Sequence, residues 1–237
     1  MSLPQALLVL ADGTWFVGRS FGADASNVGE VVFNTSMSGY QEILTDPSYR
    51  GQIVTMTSPH IGNYGVNALD AESDGVQVAG LVVREVSRVA SNQRATGTLP
   101  EYLQQAGVPA ITGVDTRALT RKIRDAGAIM GAIVPGATAA DVPAIVERIV
   151  TSPAYDELDY VAACSVPSPR WVHVLPTNDR YAPHRIELRE DRPAGNAPVV
   201  VVVDFGVKFS ILRLLAETGV HVRLVPHDTP AAAVLDG

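Results

Sequence analysis

Cysteine is almost missing from this chain of 237 residues: Cys164 stands alone, so neither an internal disulfide nor a multi-cysteine zinc site is available. Positive charge is also in short supply. Eighteen Lys and Arg against 25 Asp and Glu leave a formal net charge of −7, which argues against the basic stripe of a nucleic-acid binder. No apolar run approaches the roughly 20 residues of a membrane span. Met1–Gln5 lacks a basic stretch and the first apolar run breaks at Asp12, so no signal peptide is expected and a soluble, cytoplasmic protein is. Phosphate-binding G-x-x-x-x-G-K-[ST] and zinc-binding H-E-x-x-H patterns are absent, and the five histidines, His60, His173, His184, His221 and His227, never pair at metal-ligand spacing.

What is present is apolar matter, 46% of residues against 18% charged. That is enough for a sizeable core and too much for a disordered chain. The length fits one large or two modest domains. The first 85 residues read as strands: Ala6–Leu10, then Asp12-Gly13 as a hairpin signal, Thr14–Val17, Gly29–Asn34, Gln52–Thr57 and Val76–Val83. Near residue 98 the period lengthens. Thr98-Leu99-Pro100-Glu101 fits a capping box for a helix stopping at Gly107. Asp115 reads as the N-cap of a helix with Leu119, Ile123 and Ala126 on one face and Gly127 at its end. Ile129–Val134 reads as a strand, and Val142, Ile145, Val146, Ile149 and Val150 recur at helical spacing. Strands first and helices after predict an α+β domain over residues 1–164.

Prolines 167, 169, 176, 183, 193 and 198 interrupt the next stretch. Residues 165–197 are therefore expected to form an irregular connection, with at most one strand near Trp171–Leu175. Val199–Val203 is a run of five valines, the pattern of a parallel strand buried on both faces. Ile211–Glu217 reads as a helix and Val220–Val225 as a second buried strand, so residues 198–237 predict a β–α–β unit opening a doubly wound fold. Thr229-Pro230 would begin a further helix. About 40 residues are below the size at which a domain usually holds itself together, and the expectation is an incomplete domain.

Chemistry is harder to see. Cys164 follows Val161-Ala162-Ala163 without the glycine-flanked turn that exposes a nucleophile, and reads as a buried apolar cysteine. Asp46-Pro47-Ser48-Tyr49 is a turn sequence that would present the Ser48 hydroxyl at a loop. The glycines of Ser58–Gly65 permit close backbone approach, to a ligand or within a tight turn. Asp115-Thr116-Arg117-Ala118-Leu119-Thr120-Arg121 reads as a capped helix with a basic face. Read physically, these residues supply loops but no complete active site.

Taken together they resemble a known family. Gly29–Tyr49, Pro59–Gly65, Ala90-Ser91-Asn92, Asp115–Arg121 and Asp204-Phe205-Gly206-Val207-Lys208 are similar, in order, to the small subunit of glutamine-hydrolysing carbamoyl-phosphate synthase. The match is weakest over 167–197. The resemblance implies an N-terminal domain of the swivelling β/β/α type that contacts a large subunit, followed by a flavodoxin-like class I glutamine amidotransferase domain. In that family a cysteine thiolate, a histidine and a glutamate hydrolyse L-glutamine. The ammonia passes to the large subunit, which uses ATP and Mg to make carbamoyl phosphate. Ser48 matches the family serine that contributes to the glutamine site. The catalytic cysteine, histidine and glutamate match nothing here and would lie beyond Gly237, so no catalytic residue and no cofactor is assigned to this chain. A non-catalytic docking module that binds the large subunit is the alternative. A free-standing nucleotide-binding β–α–β protein is excluded by the missing glycine fingerprint.

Overall fold

In the computed structural model, which describes residues 3–235, the turn at Asp12-Gly13 joins β1 (Gln5–Leu10) to β2 (Trp15–Ser20) as an antiparallel hairpin. The Thr14 N–H donates to the Asp12 carboxylate at 2.9 Å and the Leu10 N–H to the Thr14 carbonyl at 2.8 Å. Then follow β3 (Val28–Asn34), α1 (Tyr40–Thr45), β4 (Gln52–Met56), β5 (His60–Ile61), β6 (Gly80–Val82) and β7 (Glu85–Val86). After them come α2 (Leu99–Gln105), β8 (Ala110–Thr112), α3 (Thr116–Ala126), β9 (Met130–Pro135) and α4 (Val142–Thr151). These elements form one of two compact units, the chain to Ala68 with Asp74–Leu158. Seven of its strands close a barrel in the order β1–β2–β8–β6–β4–β3–β9. Strands β3, β4, β6 and β8 run parallel, and the remaining pairs are antiparallel.

Leu8, Phe16, Val31, Ile53, Val82, Ile111 and Ile133 bring one apolar side chain from each barrel strand into a common cluster. The interior is thus a packed core, as expected for a barrel of this size. The alternate residues are covered from outside. Val54 and Met56 of β4 and Leu81 of β6 pack with Tyr40, Ile43 and Leu44 of α1 and with Leu99 and Leu103 of α2. Leu7 and Val9 of β1 pack with Ile145 and Ile149 of α4. Burial on both faces is why β1 and β4 read as nearly unbroken apolar runs.

Helix α3 begins where the sequence predicts. The Asp115 carboxylate accepts the Ala118 N–H at 3.0 Å, and Gly127 ends the helix. Its Leu119 and Ile123, four residues apart, enter the barrel-interior cluster, each contributing about 1.5–3 kcal/mol of burial. Lys122 reaches back to Asp12 at 2.5 Å, pinning the helix to the β1–β2 turn. The capping box at Thr98 and Glu101 is also formed. The strand expected over Val76–Val83 shrinks to Gly80–Val82. Upstream of it, Gln77 and Ala79 donate their N–H groups to Leu44 and Gln52 carbonyls at 2.8 Å, outside the β6 ladder.

The second unit comprises Leu69–Ser73 and the chain from Asp159. It contains α5 (Tyr160–Cys164), β10 (Arg170–Asp179), β11 (Ala182–Arg189), β12 (Val199–Asp204), α6 (Phe209–Glu217), β13 (His221–Pro226) and α7 (Ala231–Leu235). The β–α–β expectation holds: β12 and β13 are parallel and α6 joins them. Two expectations need correction. The stretch expected to be irregular contains a long antiparallel hairpin, β10–β11, and the sheet order is β11–β10–β13–β12. Proline disfavours helix but is tolerated where a strand does not need its N–H. Pro183 sits on edge strand β11, and Pro176 lies beyond Trp171, where the β10–β13 pairing ends. The valines of β12 are half-buried, not buried on both faces, because β12 is itself a sheet edge among the described residues.

Helix α6 has no side-chain cap at Lys208. Glu72 supplies one from far away in sequence, its carbonyl accepting the Phe209 N–H at 2.8 Å and its carboxylate the Ser210 N–H at 2.9 Å. Leu212, fully buried, fixes the helix on Val172, Val222 and Leu224.

Two stability predictions follow from this packing. Burial by itself raises the Asp12 carboxyl, but hydrogen bonds from Lys122 and Thr14 outweigh it and hold the group below its ordinary value of 3.8. A depressed folded value gives stability that is present above the unfolded value and lost as pH falls through the folded one. Asp12→Asn should therefore cost about 0.2–1 kcal/mol near neutral pH, the usual worth of an exposed pair. The melting curves of variant and parent should converge in acid, as pH falls through the lowered Asp12 value. The Thr55 hydroxyl, fully buried on β4, has no hydrogen-bond partner among the described residues. Thr55→Val keeps the shape and removes the desolvated group, so urea denaturation should show a gain of about 1 kcal/mol.

Candidate functional site

The glycine-rich segments singled out in the sequence fold onto one another. The rings of Tyr40 and Tyr64 stack with centroids 4.2 Å apart. The Tyr64 hydroxyl accepts the N–H groups of Gly39 at 2.5 Å and Tyr40 at 3.0 Å. Helix α1 has no side-chain cap from Gly39, so this distant hydroxyl takes the place of one. The Tyr40 hydroxyl donates to the Gly65 carbonyl at 2.6 Å. Its burial, with Tyr64 beside it, pushes that hydroxyl well above its ordinary value of 10.0, so it stays a donor. Gln41, buried, completes the clamp: its Nε2 donates to the Asn67 carbonyl at 2.5 Å and its Oε1 accepts the Asn67 N–H at 2.9 Å.

The third motif joins the same cluster, because the Ser91 N–H donates to the Asn63 carbonyl at 2.8 Å. Gly65 shows what its segment is for. A Cβ there would lie 2.7 Å from the Gly97 carbonyl oxygen and from the Ala95 Cβ, and 2.9 Å from the Ala90 Cβ, at a φ of +70°. Close approach at this glycine is between parts of the chain itself. The sequence left a ligand and a tight turn open at Gly65, and what approaches it is Ala90, Ala95 and Gly97, distant in the chain.

Ser48 lies elsewhere, exposed on the short 3-10 turn Pro47–Tyr49 that follows α1. Its N–H donates to the Asp46 carboxylate at 2.9 Å, and Pro47 presets the turn. The neighbouring Tyr49 hydroxyl accepts from the Asn34 side chain at 2.9 Å, anchoring the turn to the end of β3. The serine is thus displayed on a fixed frame.

Nothing in the sequence marks one cationic concavity of the barrel unit. It is a cleft of about 530 Å³ lined by Thr35 and Thr57 from two loops and by Thr116, Arg117, Thr120, Arg121 and Arg124 from α3. Thr35 and Thr57 directly follow β3 and β4, so the cleft opens at the carboxyl ends of the parallel strands. The basic helix face noted in the sequence forms one wall. Only the facing threonines, far apart in the chain, turn that face into a cleft. Ser48 does not line it.

Three of the five histidines have side-chain partners within the chain. His173 Nε2 lies 2.8 Å from the Asp191 carbonyl, His184 Nδ1 2.8 Å from Glu217, and Arg192 donates to His221 at 3.3 Å. Cys164 ends α5 and is half-buried, not fully buried as expected. Asp204, buried, accepts three backbone N–H groups, from Val166 at 2.8 Å and from Gly206 and Val207 at 3.0 Å. It thereby holds the turn after β12. Among the described residues no group of three or more His, Cys, Asp or Glu is placed to hold a metal ion, and no helix is long and apolar enough to cross a membrane.

A closed mixed barrel packed by four helices, followed by a β–α–β unit on an extended hairpin, defines an α+β protein whose exposed candidates lie on the turn after α1 and on one face of α3. Comparison with known proteins makes this specific. Residues 8–133, more than half of the chain, match the family model described as carbamoyl-phosphate synthase small chain, CPSase domain, and the chain belongs to that family. It is 46% identical over 231 residues to the carbamoyl phosphate synthase small chain of Thermosynechococcus vestitus, covering 97% of this chain and 58% of that protein. The corresponding proteins of Polynucleobacter necessarius and Pectobacterium atrosepticum are 45% and 46% identical, covering 99% and 98% of this chain and 60% of each relative. The chain thus spans about three-fifths of the length of these curated relatives.

The tyrosine clamp yields a direct test. Tyr64→Phe keeps the stacked ring but strips the acceptor from two N–H groups at the start of α1. A loss of about 1–3 kcal/mol is expected by chemical denaturation. Amide exchange at Gly39 and Tyr40 should accelerate more than exchange in the barrel strands.

Proposed function

We propose that this chain is the amino-terminal part of the glutaminase subunit of carbamoyl-phosphate synthase, serving arginine and pyrimidine synthesis in the cytoplasm. In this reading the barrel unit is the swivelling β/β/α domain. The β12–α6–β13 unit opens a flavodoxin-like class I amidotransferase domain. L-glutamine is hydrolysed on that second domain, and the ammonia passes to a large subunit that holds ATP and Mg and forms carbamoyl phosphate. What carries the reading is the extent of the match: the family model covers residues 8–133, and identities of 45–46% run through 97–99% of the chain.

The chemistry needs a thiolate that adds to the glutamine side-chain carbonyl and a histidine that delivers a proton to the departing ammonia. Water then cleaves the thioester to release glutamate. We assign those roles to none of the residues described here: Cys164 closes a short helix, and the His173, His184 and His221 side chains are engaged by Asp191, Glu217 and Arg192. We assign the nucleophile and its base to sequence outside this chain, which by itself does not hydrolyse glutamine.

Ser48 is the contribution of the barrel unit. Its hydroxyl stands exposed on a turn fixed by Asp46 and Pro47, suited to donate to or accept from the polar groups of a free amino acid. In the full-length subunit paired with its large subunit, Ser48→Ala should raise the KM for glutamine roughly 3- to 10-fold, the worth of one hydrogen bond. Synthesis driven by added ammonium should be unchanged. Equal loss of both activities would remove Ser48 from the glutamine site.

A further inference from the structure

We propose that the arginine–threonine cleft at the barrel mouth is a docking surface for an acidic segment of the large subunit, one that presents at least two carboxylates. This rests on the reading that the chain pairs with such a subunit.

The argument begins with charge. Arg117, Arg121 and Arg124 project from one face of α3 at spacings of four and three residues, where like charges repel and weaken a helix. Arg117 lies in the first turn, which contains no acidic residue, although the helix dipole favours anions there. The chain does not relieve this strain from within. Lys122 takes Asp12, and Asp125 lies 3.5 Å from Arg124, both groups well exposed. No ion pair or hydrogen bond engages the side chain of Arg117 or Arg121 among the described residues, and no acidic residue lines the cleft. In a chain of net charge −7, a donor-rich concavity with no internal counterion departs from local electrostatic consistency, and such departures mark functional surfaces.

Position and shape agree. Loops at the carboxyl ends of parallel strands can vary without disturbing the ladder, and two of these loops, after β3 and after β4, meet the start of α3 here. Facing Thr35 and Thr57 add hydroxyls that can donate to a carboxylate, while each guanidinium can grip one bidentately. From Arg117 to Arg124 the helix rises about 10 Å, more than one small oxyanion can bridge. The cleft therefore fits a segment carrying two acidic side chains better than a free anion. Met37, two residues beyond Thr35, is 87% exposed, and methionine is enriched at protein interfaces.

The test uses the full-length subunit and measures its affinity for the large subunit across a range of salt concentrations. Arg117→Glu with Arg121→Glu should weaken binding at least about 30-fold at low salt and flatten the salt dependence. Arg117→Lys with Arg121→Lys should recover part of that loss. The charge-reversed variant should melt close to the parent, since an acid at position 117 suits the helix dipole and one at position 121 faces Arg124, and this separates lost docking from misfolding. Unchanged affinity and salt dependence, with the parent binding normally, would overturn the docking surface alone. Failure of the parent to bind would overturn the subunit reading and the surface with it. Inorganic phosphate raising the melting temperature through these arginines, while the variant still binds the large subunit, would replace the surface with a small-anion site.

Discussion

Barrel closure is the constraint on which the first unit depends. Strand β9 arrives last and must pair with β1 on one side and β3 on the other. Only then do the apolar side chains of the seven strands meet as one core. The closing strand carries Gly131 at a close approach, where a Cβ would lie 2.6 Å from Val31 Cγ2 and 3.0 Å from the Val9 carbonyl oxygen. Any side chain there would push apart the strands that β9 must join. Because the β3–β4–β6–β8 stretch is parallel, closure also gathers the loops after these strands at one end, and α3 settles over it with Leu119 and Ile123 pointing inward.

That arrangement separates support from display. The Tyr40–Tyr64 stack and the Gln41–Asn67 clamp consume the polar groups of their segments internally, and Gly65 admits only neighbouring chain. These are the most recognisable residues of the sequence, and what they do is hold loops in place. The groups left facing outward, Ser48 and the arginines of α3, stand on elements that those contacts or the barrel core make rigid. Rigid support for an exposed group is what a binding surface needs if it is not to lose affinity in ordering itself.

The second unit shows the same economy of local cues and distant partners. Its β–α–β topology follows from two apolar strands and an amphipathic helix, but the helix start is satisfied by Glu72, far away in the chain. Asp204 likewise closes its own turn and holds Val166. The apolar side chains of Phe205, Ile211 and Leu214 remain substantially exposed, as expected where β12 is an edge and one helix covers the sheet.

By itself the sequence determined whatever depends on neighbours along the chain. The Asp12-Gly13 turn, the capping box at Thr98 and Glu101, the α3 cap at Asp115 and its apolar stripe, and the five-valine strand all arise from spacings of a few residues. Each was legible because a helix or hairpin repeats over that distance. Tertiary structure alone decided what depends on residues distant in sequence. The three-residue strand β8 exists only because β2 and β6 flank it, and prolines that excluded a helix over 165–197 did not exclude a hairpin with a free edge. The cleft needed Thr35 and Thr57 brought opposite α3. A basic helix face is visible in seven residues, but the concavity that gives it a use comes from barrel closure, and no local pattern encodes that.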